Sequence, residues 1–211
     1  QGKSFVLAQL ARHLQQNGLP VLVLRLDSLP EAVTADALGL ALGLDASPVH
    51  ALCAVANNGP CVLILDQVDA VSEVSGRDPR LWHLLHAILA DVTTMEGRAD
   101  IRLVMACRSF DFDNDARIRA LCSGIHEFRE FELAGLPLGT VKQSLSDGGI
   151  APSSLSSKQL QILQLPENLF LFLQSGSKEE GGFSCIRQLY ESFWETKRRK
   201  CLHASNGRCD W

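Results

Sequence analysis

Cys61-Val62-Leu63-Ile64-Leu65-Asp66 is an unbroken apolar run that ends on a carboxylate. Continuous rather than alternating apolarity is what a strand covered on both faces requires, and Asn57-Asn58-Gly59-Pro60 breaks the chain just before it. The run therefore predicts a strand buried in a parallel sheet, with Asp66 delivered at its carboxyl end. Working outward, Val21-Leu22-Val23-Leu24, bounded by Pro20 and Asp27, and the stretch 101–107 read as two more such strands. Between them the period changes. Leu7, Leu10, Ala11 and Leu14 predict a helix from Ser4 to Gln16, stopped by Gly18, and short helices are expected over 36–42 and 48–56. Leu81, Leu84, Leu85, Ile88, Leu89 and Val92 draw a long amphipathic helix over 81–95. A helix over 115–121 and a last strand near 128–133 complete the alternation. The expected fold class is α/β: a parallel sheet flanked by helices over residues 1–133. After Gly135-Leu136-Pro137 no strand pattern remains, and helical spacings at 138–145, 157–163, 169–173 and 186–200 predict a small all-helical lid subdomain over 134–200. Residues 201–211 have no period and read as an irregular tail.

The chemistry sits where strands end and helices begin. Gly2-Lys3-Ser4, opening the first helix, is the last third of GxxxxGK[ST], in which backbone N–H groups and the helix dipole hold phosphates. Gly2, Lys3, Ser4 and Phe5 are the expected nucleotide-binding stretch: Lys3 reaches the terminal phosphates and Ser4 gives its hydroxyl to Mg²⁺, a hard ion that prefers oxygen. The first glycine of such a loop, and the strand before it, would lie ahead of Gln1, so the sequence is expected to be a fragment. Asp66 at the tip of its strand is the expected second ligand of Mg²⁺ and a catalytic carboxylate; an acid there also forms turns. Asp69 is placed to position or deprotonate a water attacking a γ-phosphate, or else to cap the helix that follows. Ile101-Arg102-Leu103-Val104-Met105-Ala106-Cys107-Arg108 ends on a guanidinium at the sheet edge where ligands of open α/β folds bind. Arg108 is a candidate phosphate sensor; the other reading pairs it with Asp111 or Asp113.

Composition narrows the field. The 211 residues carry 20 Lys and Arg against 24 Asp and Glu, which gives no broad electrostatic footprint for nucleic acid. No apolar run approaches the roughly 20 residues that span a bilayer, so no membrane association is expected. Seven cysteines, at 53, 61, 107, 122, 185, 201 and 209, show neither a CxxC pair nor a disulfide rhythm, and imply a reducing, cytoplasmic compartment. Lys197-Arg198-Arg199-Lys200 closes a helix, where positive charge suits the dipole, although four cations in a row also suit a polyanion. His83 and His86, at i and i+3, have a metal-binding spacing without a third ligand nearby and read as helix surface.

Gln1-Gly2-Lys3-Ser4, Leu63-Ile64-Leu65-Asp66-Gln67-Val68-Asp69 and Met105-Ala106-Cys107-Arg108-Ser109-Phe110-Asp111 together resemble a STAND-class P-loop NTPase of the NACHT and NB-ARC kind, a group related to AAA+ proteins. Leu165-Pro166-Glu167-Asn168-Leu169-Phe170 is similar to the Pro-containing helix start with which those families contact the base or sugar, so the resemblance implies a nucleotide contact for Pro166. It further implies binding of ATP or ADP with Mg²⁺, a conformational switch, self-association, and fused sensor and effector domains. The paired acids of NACHT proteins are reduced here, since Ala70 follows Asp69, and the implied hydrolysis is slow. Two other readings stay open: an AAA+ type ring ATPase, for which Arg77 or Arg80 are the candidate arginine fingers, and a non-catalytic interaction module derived from a P-loop protein.

Overall fold

The structure, a computed structural model, describes residues 2–74, 79–123, 128–175 and 183–204, and divides the chain into two compact units, Lys3–Glu132 and Gln1–Gly2 with Leu133–Trp211.

The first unit is built on three parallel strands, β1 (Val21–Arg25), β2 (Cys61–Asp66) and β3 (Ile101–Met105), in the order β1-β2-β3. Val21 faces Val62 across one pairing and Leu65 faces Met105 across the other, so all three carboxyl ends emerge on one edge. Each connection between the strands passes through helices, as parallel pairing demands: α2 (Ala35–Ala41) and α3 (Pro48–Val55) join β1 to β2, and α4 (Pro79–Thr94) joins β2 to β3. The helix α1 (Lys3–Gln16) precedes the sheet, while α5 (Ser109–Asn114) and α6 (Ala116–Ser123) follow it.

Every residue of β2 is buried, because successive side chains point into two different cores. Cys61, Leu63 and Leu65 enter the larger one, with Leu38, Val49, Leu52, Leu84, Leu85 and Ile88. Val62 and Ile64 enter a smaller one, with Leu7 and Ala11 of α1 and with Ala106. Helices therefore cover both faces, which is why the run could be apolar without alternation. Local signals start the connecting helices: Thr34 accepts a hydrogen bond from Ala37 N at the head of α2, and Ser47 one from His50 N at the head of α3, with Pro48 in the first turn.

Two elements differ from the sequence expectation. The described residues of the expected strand at 128–133 form no strand; Phe131 and Leu133 are exposed, so the apolar spacing there reflects no burial. Conversely, residues 109–114 form α5, which no apolar period announces.

The second unit is helical, with α7 (Leu138–Asp147), α8 (Ser157–Ile162), α9 (Pro166–Ser175) and α10 (Ile186–Ala204). Val141, Leu145, Leu160, Leu163, Phe172 and Leu189 make its core. A reciprocal Ser156–Gln159 capping box starts α8. The helix α10 runs past Lys200 to Ala204, longer than the sequence reading allowed; Cys209 lies outside the described residues. Gly2, grouped with this unit, has φ +88°, and a Cβ there would stand 3.3 Å from Cγ of Pro166, two reasons for glycine at that position.

Candidate functional site

Within the sheet unit, the sequence-predicted residues gather at the carboxyl edge of the strands. Asp66 ends β2 and is buried; its Oδ1 accepts a hydrogen bond from the next backbone amide, Gln67 N, at 2.9 Å. That closure is possible because Gln67 adopts the left-handed conformation, φ 60° and ψ 43°, which costs a non-glycine residue free energy and turns the chain sharply off the strand. No residue type in the sequence announced this turn.

A short 3₁₀ turn, Val68–Val71, follows and carries Asp69. Asp69 is fully buried and does not cap the turn: the residue at the cap is Gln67, and no side chain makes the capping bond, so the capping alternative is corrected. The partner of Asp69 is Arg108, whose Nε lies 3.0 Å from Oδ2. The contact is an ion pair without an aligned hydrogen bond, and neither Asp69 oxygen accepts one among the described residues. Arg108 itself is half exposed, at 55% of its side chain. The sequence reading named Asp111 and Asp113 as partners and missed Asp69, which meets Arg108 because the turn after β2 is stitched to the end of β3. Ala106 N donates to Leu65 O at 2.8 Å, and Val68 N donates to Ala106 O at 2.9 Å.

Lys3, first residue of α1, brings that helix start to the same edge by donating from Nζ to the Cys107 carbonyl. Ser4 and Phe5 follow in the first turn, both exposed. Arg25, level with Asp66 in the β1–β2 register, is held by Asp27 through Nε at 2.8 Å and Nη2 at 2.9 Å. Its hydrogen bond to Asp27 and the charge of that carboxylate raise its pKa above the ordinary arginine value. Burial pushes the Cys107 thiol up to about 12, and the charges of Asp69 and Asp111 add to the effect. The edge thus joins buried carboxylates to two cations, Lys3 and Arg108, that contact protein oxygens.

Asp66 and the Ser4 hydroxyl are hard oxygen donors, and the fully buried Asp69 has two acceptor oxygens without hydrogen bonds. This donor set fits Mg²⁺, which takes oxygen ligands, and the cations fit phosphate.

The remaining predicted residues lie elsewhere. Pro166 starts α9 in the helical unit. Arg80 makes a 3.6 Å ion pair with Glu31, while Arg77 lies outside the described residues. The His86 ring packs edge-on against Trp82 at 4.4 Å, and His83 is exposed. Lys197 sits over the Phe193 ring, and Arg198, Arg199 and Lys200 are exposed on α10. An open apolar depression of about 450 Å³, lined by Leu19, Pro20, Val21, Leu44, Pro48 and Val55 among others, lies at the opposite, amino-terminal end of β1 and holds no charged residue. Size alone therefore does not mark the chemistry. No described helix is long and apolar enough to cross a membrane.

The sequence matches no family model and no curated protein. Among solved structures it is similar to AMPPCP-bound DnaA from Aquifex aeolicus, at 15% sequence identity and a TM-score of 0.43. The match covers 94% of this chain and 56% of that one, so the chain spans little more than half the length of that protein.

Proposed function

We propose that the sheet unit is the nucleotide-binding core of an ATP-dependent molecular switch of the STAND class, binding ATP or ADP with Mg²⁺ and hydrolysing ATP slowly in the cytoplasm. The observation that carries the reading is the meeting of Lys3, Asp66, Asp69 and Arg108 at one sheet edge, on three elements far apart in sequence. Chance motif matches have no reason to converge.

In this reading the start of α1 receives phosphate on its unpaired N–H groups, with Gly2, Ser4 and Phe5 lining the chain there. Lys3 and Arg108 offset phosphate charge, Arg108 bidentately. Ser4 and Asp66 hold Mg²⁺, which neutralises charge on the phosphate oxygens when bound. Asp69 orients or deprotonates a water, and Pro166 contributes to the base or sugar contact. Self-association and fused sensor and effector domains belong to the same proposal. A switch needs no fast turnover, because a ligand moves a two-state equilibrium through its differential affinity alone.

One observation favours a second reading. Lys3 and Arg108 both contact protein atoms, as in an interaction module that has lost its nucleotide. Calorimetry on the intact protein separates the two. Mg·ATP and Mg·ADP should bind the wild type, and Lys3→Ala should weaken both by about tenfold or more, the effect of losing a charge-assisted contact. No binding to the wild type would leave the interaction module, and equal affinities in wild type and Lys3→Ala would remove Lys3, and the phosphate site built on it, from the reading.

A further inference from the structure

Asp69 and Arg108 were separate candidates for nucleotide chemistry, yet each is the other's partner. The two halves of the pair differ in freedom. Asp69 is fully buried, on a turn stitched to the end of β3 through Leu65 O and Val68 N and held further on by Arg117, which donates from Nη2 to the Val71 carbonyl at 3.1 Å, so its backbone is fixed. Among the described residues Arg108 is held by its backbone, extended at φ −73° and ψ 139° with its carbonyl accepting Phe112 N at 2.9 Å at the head of α5, and by its side chain only through the pair with Asp69. Its guanidinium is half exposed, so a ligand arriving from solvent can reach it.

We infer that Asp69 competes internally for the Arg108 guanidinium, so that a terminal phosphate gains Arg108 only by displacing it from this carboxylate. The inference rests on the nucleotide-binding reading above and adds a regulatory role for Asp69 to it. Among the described residues Arg108 supplies the only ion pair to Asp69, and neither carboxylate oxygen accepts a hydrogen bond. Losing that counter-charge costs free energy because the carboxylate is out of water. This cost is subtracted from whatever the γ-phosphate gains, whereas ADP, without a γ-phosphate, leaves the pair intact. The preference for ATP over ADP is then the difference between two ion pairs competing for one guanidinium.

The same exchange gives Asp69 two successive states. Paired with Arg108, the carboxylate has one oxygen, Oδ2, turned to the guanidinium. Once phosphate has taken the guanidinium, both carboxylate oxygens are left open to a water at the reacting end of the nucleotide. Sensing and water positioning become one event.

The test measures the ratio of ATP to ADP affinity, by calorimetry at fixed Mg²⁺, in intact wild type, Asp69→Asn, Arg108→Ala and the double variant. Asp69→Asn keeps the shape and removes the competing charge. It should raise the ATP preference by about three- to tenfold, in keeping with a pair that is buried on one side and exposed on the other. The rise should vanish in the Arg108→Ala background. Asp69→Ser, smaller and neutral, replaces Asp69→Asn should the latter fail to fold, as judged by circular dichroism. An unchanged preference in a folded, nucleotide-binding Asp69 variant overturns the inference and leaves nucleotide binding intact. A rise that persists without Arg108 overturns it too. A wild type that binds neither nucleotide overturns the functional reading on which it rests.

Discussion

Truncating two adjacent residues of β2 weighs its two faces against each other. Leu63 and Ile64 are both fully buried, but Leu63 enters the larger core, between the strands and the helices α2, α3 and α4, whereas Ile64 enters the smaller one under α1. Leu63→Ala removes three buried carbons, about 2.4 kcal/mol at ~0.8 kcal/mol each. The walls around Leu63 come from several elements and cannot all close in, so an unrelaxed hole at ~24 cal/mol per Å³ adds about 1–2 kcal/mol, for a total near 4 kcal/mol. Ile64→Ala loses the same transfer free energy, but among the described residues α1 is the one helix over that face and can settle into the gap, which holds the loss to about 2.5 kcal/mol. Urea denaturation measures both. Trp82 packs against the larger core and reports on this unit once Trp194 and Trp211 are replaced by Phe. An Ile64→Ala variant as destabilised as Leu63→Ala, or more so, would refute the assignment of a thick core to one face and a thin one to the other.

Gly39→Ala reverses a general trend: alanine in a helix is worth about 1 kcal/mol over glycine, yet here the new Cβ would stand 1.9 Å from the Ala46 carbonyl oxygen, a backbone atom. Thermal melting should show a loss of about 3 kcal/mol; an unchanged or higher Tm sinks the packing described for α2. Asp115 is buried, which alone would raise its pKa, but hydrogen bonds from the Arg117 side chain and from Glu73 N and Arg117 N outweigh burial and hold it below the ordinary carboxylate value. A depressed folded pKa contributes stability above the unfolded value of about 4 and loses it as pH falls through the folded one. Asp115→Asn should therefore cost about 1–2 kcal/mol at pH 7 and progressively less below pH 4 in urea titrations, and a gap independent of pH would contradict the pairing. The Cys107 thiol, pushed up to about 12, should be about a ten-thousandth ionised at pH 8 and react with iodoacetamide far more slowly than exposed Cys185; comparable rates by peptide mass spectrometry would refute that environment.

The legible parts of the fold were those in which burial and period agree. The strand β2 was visible as an apolar run because both its faces are covered, β1 and β3 were visible as shorter runs that are only partly buried, and α4 was visible because Leu84, Leu85 and Ile88 recur on one side. Where apolar residues stay exposed, the same logic misled: Phe128, Phe131 and Leu133 have a strand-like composition without a strand. The six-residue α5 was illegible because Arg108 is no capping residue and the helix is too short to show a period. At the site, residue types were visible but partnerships were not. Nothing local in the sequence joins Asp69 to Arg108, or Lys3 to the Cys107 carbonyl, since these contacts arise from the order of the strands. The left-handed Gln67 escaped notice because glutamine carries no conformational signature of that kind.

The bond from Gln67 N to the Asp66 carboxylate spans a single peptide unit. A side chain aimed by a distant partner loses its aim when that partner moves; one aimed by its own neighbour does not. Asp66 therefore keeps its heading as long as β2 and the first residue of its turn survive, whatever the surrounding helices do. In the switch proposed above, such a carboxylate is a fixed bearing against which moving helices would be set.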